Sequence, residues 1–534
     1  MASTSTGTPY DSWTREQLIA RLTALEAQTQ ALALSTPGPS APFHSPAPIS
    51  IAPPSAPVPG PQITPASASP PAPEYTAPTT STAASTSTST PIPATPDAAP
   101  APRPKSPKAF HFASYPTLKI ALKFCYAGAS YNGLAYQYTP TPLPTVEGAL
   151  FDVLAKTRLV DAAQGFEGCG WERCGRTDRG VSGAGQVVSL YVRAAAPHKD
   201  PDGQSTEGEG EGEPEPKPLR YLSILNRLLP PTIRILAWAP VAATFSARFS
   251  CRARHYKYFF RAGGGGAGAL DVGAMRGAAA RLVGEHDFRN LCKLDPSKQI
   301  TNFHRRVLRA DVARVADTAA EVCGLPPDAH SAGAGELYVL DLVGTAFLYH
   351  QVRHIMAVLF LVGARLEAPD VVSALLNTEP GKVEGAPAVV ACKPEYQMAD
   401  GLPLVLWDCW YAEEDVRWRT DADEGEGAGG AGERKEGVYA QLDAQYTRAL
   451  ISTTLDAHFL AAAARYHRAP GAGVQEAGTG MLNVPLGGGT SKRVGKHVPL
   501  LERKRLDAVE VANARYMQGK GGRREERRRA GIEA

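Results

Sequence analysis

Residues 29 to about 108 decide what this chain can fold into. The stretch is dominated by Pro, Ala, Ser and Thr and has too few aliphatic or aromatic side chains to offset the entropy of ordering it. We read it as a disordered arm, which leaves the middle of the 534 residues to supply the core. Ahead of the arm, within residues 1–28, Leu18, Ile19, Leu22 and Leu25 fall on one helical stripe, a short coiled coil or partner helix. Asp11, Glu16 and Glu26 argue against a mitochondrial presequence there. Two acidic Gly/Glu stretches, an insert at 198–218 and a linker at 413–438, interrupt the rest. The net charge of +3 conceals a basic tail, with Arg503-Lys-Arg505 and Arg523-Arg-Glu-Glu-Arg-Arg-Arg529. The most apolar run, 355–364, is about half the roughly 20 residues that a bilayer span needs, so no membrane partner is expected. Eight cysteines without a C-x-x-C pair, and no secretory leader, point to reduced thiols in nucleus or cytoplasm.

Hydrophobic periodicity predicts strands at 118–124, 186–192, 233–240, 256–261, 307–315, 337–343 and 404–411. It predicts helices at 146–158, 221–229, 272–282, 348–366 and 371–376. That order gives an α+β fold in two mixed halves, 109–244 and 245–412, followed by a helical and basic extension at 439–534.

The segment Cys174-Gly-Arg-Thr-Asp178-Arg-Gly-Val-Ser182 places one carboxylate between two guanidinium groups in a glycine-bounded turn. Arg176 and Arg179 are expected to keep Asp178 ionised, and an ionised carboxylate can serve as nucleophile or base. A plain surface turn with a screened ion pair is the alternative. His350 and His354 have the i, i+4 spacing of a zinc helix, but Gln351 stands where H-E-x-x-H needs glutamate, so no metal is assigned. The glycine run at 487 lacks the Gly-Lys-Ser/Thr order of a phosphate loop.

Further blocks follow in order: 119–128 with Tyr131-Asn-Gly133, Phe245-Ser-Ala-Arg-Phe-Ser250 with Arg254-His-Tyr-Lys-Tyr258, Gly284-Glu-His-Asp-Phe288, and Phe347-Leu-Tyr-His-Gln-Val-Arg353. Together with the Asp178 loop they resemble the TruA-type tRNA pseudouridine synthases, and the strings 157–160, 171–174, 284–293 and 346–353 resemble the eukaryotic 38/39 branch in particular. Arg179, where the bacterial pattern has Ala, and Ser182-Gly183 depart from it. The resemblance implies two halves sharing a central antiparallel sheet, with the active cleft between them, and isomerisation of uridine at tRNA positions 38 and 39 in the anticodon arm. It makes Asp178 the catalytic carboxylate, Arg176 the side chain that fills the space of the flipped base, and Tyr256 the uracil-stacking ring. It also makes Leu404 a wall of the uracil pocket. Arg353, expected mid-helix among apolar neighbours, needs a partner, and by resemblance takes Asp178 in a bidentate pair. Arg179, Arg248, Arg252, Arg254, Lys257, Arg305 and Arg306 are expected to line a positive cleft. No cofactor is required, tRNA is the partner, and a homodimer is left open. Rival readings are a synthase for other RNA positions and an RNA-folding chaperone.

Overall fold

In a computed structural model the described residues are 110–195, 217–263, 269–315, 336–421, 437–467 and 481–530. The arm at 29–108, the stripe before it, and most of the acidic insert and linker lie outside them. The framework is a nine-stranded sheet. Its strands are β1 (Thr117–Tyr126), β2 (Glu172–Arg173), β3 (Ser182–Arg193), β4 (Ile233–Pro240), β5 (Ala253–Arg261), β6 (Gly284–Asp287), β7 (His304–Arg314), β8 (Leu337–Gly344) and β9 (Leu404–Trp410). They run in the order β4-β1-β3-β9-β5-β8-β7-β6, with β2 added to the edge of β3.

Two apolar clusters cover this sheet. One joins Ile120, Leu122 and Phe124 of β1 to Leu150 and Leu154 of the helix Val146–Lys156, and to Tyr221 and Trp238. Thr145 starts that helix by accepting a hydrogen bond from the Gly148 amide at 3.1 Å. The other gathers Tyr258 and Phe260 of β5 beneath the helix Gln351–Gly363, of whose residues only Arg353 is not buried. Period-2 alternation in the strands and the all-round apolar character of that helix follow from where each is covered.

Three expectations need correction. The sheet is mostly rather than wholly antiparallel, because β3 and β9 pair in parallel through Ser182–Val405 and Gly183–Leu406. Parallel neighbours require a long crossover, and the chain between β3 and β9 supplies it. The helix predicted at 348–366 begins only at Gln351, since His350 takes a left-handed conformation (φ 58°) that ends helical continuity on its N-terminal side. Arg353 therefore sits in the first turn, not mid-helix.

Beyond the sheet, the helix Val438–Ala464 has no buried residue. A hairpin, β10 (Leu482–Gly487) and β11 (Thr490–Val494), turns through Gly487, Gly488 and Gly489, all at positive φ, so the glycine run of the sequence is a hairpin turn. The next segment straps back onto the second cluster. Leu500 is fully buried, its amide and His497 both meet the Glu367 carboxylate (2.7 and 2.8 Å), and Glu395 and Leu506 exchange backbone bonds across the strap with Lys504 and Lys393. Among the described residues, no helix is long and apolar enough to cross a membrane, and the seven described cysteines are free.

Candidate active site

The segment 174–181 is bracketed by strands on both sides, because β2 pairs with β3 through Glu172–Ser189 and Arg173–Val188 while β3 itself begins at Ser182. Local bonds then fix its path. The Cys174 amide donates to Val187 O at 2.9 Å, Gln186 Nε2 to Gly175 O at 3.0 Å, and the Val181 amide to Asp178 O at 3.1 Å. Tyr126 and Thr177 share a buried hydroxyl contact of 2.7 Å. Gly133 (φ +93°) crosses so close that a Cβ there would lie 3.0 Å from Thr177 O, so this approach requires glycine.

Asp178 projects from this loop into a cavity of about 1400 Å³, and its side chain is a quarter exposed. It is not held by its sequence neighbours. Arg176 and Arg179 are both exposed and line the cavity, whereas the side chains that meet the carboxylate come from the Gln351–Gly363 helix and the turn before it. Arg353 Nη1 faces Oδ2 at 3.4 Å, and His350 Nε2 lies 3.1 Å from Oδ1. The bidentate Arg353 contact expected from sequence is thus a single one, because Arg353 Nε donates instead to Ala399 O at 2.8 Å.

The remaining predicted residues divide. Tyr256 and Leu404 are buried and line the same cavity, the Tyr256 ring standing edge-on to Phe347 with centroids 4.9 Å apart. Burial pushes the Tyr256 phenol far up, with Cys409 adding to the effect, so it stays a neutral ring with a protonated hydroxyl. Arg248, Arg254 and Arg305 line the cavity too, but Arg254 spends its guanidinium on the carbonyls of Thr345, Cys174 and Arg248 and so braces the loop. Arg252, Arg306 and Lys257 do not line it. Arg252 pairs with Glu414 at 3.0 Å, and the Lys257 ammonium sits 3.9 Å from the centre of the Trp407 ring on the opposite face of β5. The cavity wall carries nine Arg and Lys side chains against three Asp, a balance suited to a polyanion. Val509, Ala512 and Asn513 of the C-terminal helix Val509–Tyr516 complete that wall.

The i, i+4 histidines do not converge. His350 turns to Asp178, while His354 is buried beside Lys393, whose Nζ lies 3.2 Å from His354 Nε2. Burial first, and then Lys393, pull His354 down to about 2, and burial lowers Lys393 to about 8. Among the described residues no group of His, Cys, Asp and Glu is placed to hold a metal ion. His350 is the site residue that sequence reasoning missed. Its spacing to His354 drew attention to a metal, and nothing local signals a contact with an acid so distant in the chain.

The sequence model described as tRNA pseudouridine synthase matches residues 278–412. The chain is 37% identical to the tRNA pseudouridine(38/39) synthase of Saccharomyces cerevisiae over 425 residues, covering 78% of this chain and 82% of the yeast protein. It is 42% identical to the human protein of the same description over 317 residues, 59% of this chain and 60% of the human protein. It is 30% identical to tRNA pseudouridine synthase A of Methanothermobacter thermautotrophicus over 261 residues, 49% of this chain and 74% of the archaeal one. With the yeast protein matched over most of its length, the chain belongs to the tRNA pseudouridine synthase family.

Proposed function

We propose that this protein isomerises uridine to pseudouridine in the anticodon arm of tRNA, at positions 38 and 39, with Asp178 as the catalytic carboxylate. The observation that carries the reading is a carboxylate held by Arg353 and His350 at the wall of a cavity rich in arginine and lysine. The reaction breaks the N1–C1′ bond and joins C5 to C1′, with the C5 proton leaving and N1 gaining one, so it needs no oxidant and no phosphoryl donor. It needs an anionic group at the sugar, a dry pocket that keeps the freed uracil, and a proton acceptor. Asp178 supplies the first, by attack on C1′ or by removing a sugar proton; either route uses the ionised form. Tyr256 and Leu404 supply the pocket, the phenol ring offering a stacking face and the leucine an apolar wall. A uridine in a stem must leave its stack to reach Asp178, at a cost of a few kcal/mol, and in this reading Arg176 fills the vacated space, which its exposure on the same loop supports. Arg179 and Arg248 face the phosphates. Nucleus and cytoplasm are the proposed compartments, from the reduced thiols and the arginine-rich helix Gly522–Arg529.

The test is pseudouridine mapping on tRNA treated with purified wild-type and Asp178→Asn protein. The amide keeps the shape and contact area of the acid but not its charge, so product is expected to vanish while tRNA affinity stays within a few-fold. Turnover by Asp178→Asn removes the catalytic assignment, and wild-type product at other positions moves the target.

A further inference from the structure

We infer that His350 is a positioning residue for this reaction, holding Oδ1 of Asp178 while Arg353 faces Oδ2, so that the carboxylate plane is fixed before the nucleoside arrives; the inference rests on the isomerase reading above. Three independent observations support it. The first is the contact itself, Nε2 to Oδ1 at 3.1 Å, between a histidine side chain 7% exposed and a carboxylate 25% exposed. It is shorter than the 3.4 Å contact with Arg353, whose Nε is committed to Ala399 O. The second is the backbone. His350 stands at the helix N-cap with φ 58° and ψ 14°, an unfavourable region for a residue with a Cβ, yet its side chain makes no capping bond. The turn is built by its neighbours: Gln351 Oε1 accepts from the Leu348 amide at 2.7 Å, and the Gln351 amide donates to Leu348 O at 3.1 Å. His350 O accepts the first helical bond, from the His354 amide at 3.0 Å, but the side chain adds nothing to the cap, and the left-handed backbone aims the imidazole at Asp178 instead. The third is the other ring nitrogen. Nδ1 is buried without a hydrogen-bond partner among the described residues, so the ring is oriented for Asp178 even though its second polar atom goes unpaired. With Tyr349 packed on the imidazole, ring centroids 3.7 Å apart, the ring has little freedom to turn away.

Two substitutions separate this role from a merely structural one. Asparagine is at ease in the left-handed region but too short to reach Asp178, whereas the glutamine amide reaches to about where Nε2 stood but resists that backbone. A structural role therefore ranks His350→Asn above His350→Gln in activity and in melting temperature alike. A positioning role ranks Asn higher in melting temperature and Gln higher in rate. In single-turnover assays on tRNA we expect His350→Asn to lose about 10- to 100-fold in rate with KM within about threefold, and His350→Gln to recover at least about threefold of the loss. Wild-type rate in His350→Asn, a rate for Asn above that for Gln, or a loss confined to KM overturns the inference. Product formed by the wild type at the same time secures the isomerase reading, so the two failures are told apart; a wild type that makes no pseudouridine sinks both.

Discussion

Replacing Arg353 by lysine tests the arrangement around the acid most directly. The guanidinium performs two tasks from one side chain that is only 13% exposed: Nε donates to Ala399 O at 2.8 Å, and Nη1 faces Asp178 Oδ2 at 3.4 Å. A lysine ammonium is a single point on a flexible stem and can meet one of these acceptors, not both. If it stays with Ala399, Asp178 keeps only His350; if it moves to Asp178, the Ala399 carbonyl loses its donor and the chain around it shifts. Either way one charge-assisted hydrogen bond is lost, worth roughly 1.5–3 kcal/mol. If that loss falls on the reacting geometry, the single-turnover rate drops by about 10- to 150-fold. Because Arg353 sits behind Asp178 rather than on the rim, tRNA affinity should change by less than about threefold. The assay is single-turnover pseudouridine formation with enzyme in excess, beside a binding isotherm for the same tRNA. A rate for Arg353→Lys within twofold of wild type refutes the reasoning, since one nitrogen would then suffice for both contacts.

Gly401 lies where a Cβ would meet Arg179 O at 3.1 Å, Val181 Cγ2 at 3.3 Å and Arg353 Cζ at 3.5 Å. Gly401→Ala should therefore press on the acid loop and the arginine together, lowering the rate by about tenfold at little cost in KM; an unchanged rate means that the contact relaxes freely. Away from the reaction, His354 is held near 2 in the fold against an ordinary 6.5, so between those values only the unfolded chain takes up the proton. Its contribution is complete above pH 6.5 and lost as pH falls, by about 2 kcal/mol between pH 7 and pH 5. Urea melts of wild type and His354→Gln across that range should show the shallower slope in the variant, and equal slopes would place the titration elsewhere.

Much of the fold was legible because burial imposes periodicity. The strand Ile233–Pro240 and the helix Val371–Leu376 appear with the bounds their apolar runs predict, the helix buried along its whole length and the strand half- to fully buried throughout. The β3–β9 parallel pair was not legible, because neither strand's alternation records which neighbour it takes or in which direction. The site divides along the same line. Asp178 could be picked out from its glycines and its place before a strand, which are local signals. Its partners carry no local signal: Arg353 is expected beside it only through the family resemblance, His350 not at all, and the flanking Arg176 and Arg179 do not pair with it; Arg353 and His350 arrive only when the Gln351–Gly363 helix packs beneath the sheet. Arg254 shows the converse, a residue assigned to phosphate by its charge that spends its guanidinium on three backbone carbonyls.

The division has a mechanical reason. The loop hangs from β2 and β3, Arg353 and His350 come from the Gln351–Gly363 helix and the turn before it, and β9 joins the two, pairing with β3 on one edge and β5 on the other while its Leu404 and Leu406 share one apolar cluster with Cys174 and Val181 of the loop. The chain leading into β9 holds both sides of the site: the Ala399 amide donates back to Arg353 O at 3.1 Å, Gly401 packs against the acid loop, and Leu404, bonded through its amide to Gly401 O at 3.1 Å, forms the pocket wall. Residues 399–404 therefore set the distance between the carboxylate and its arginine as well as the position of the apolar wall. A change in that short run should alter rate at nearly constant affinity, whereas changes at exposed Arg176, Arg179 and Arg248 should alter affinity and its salt dependence first.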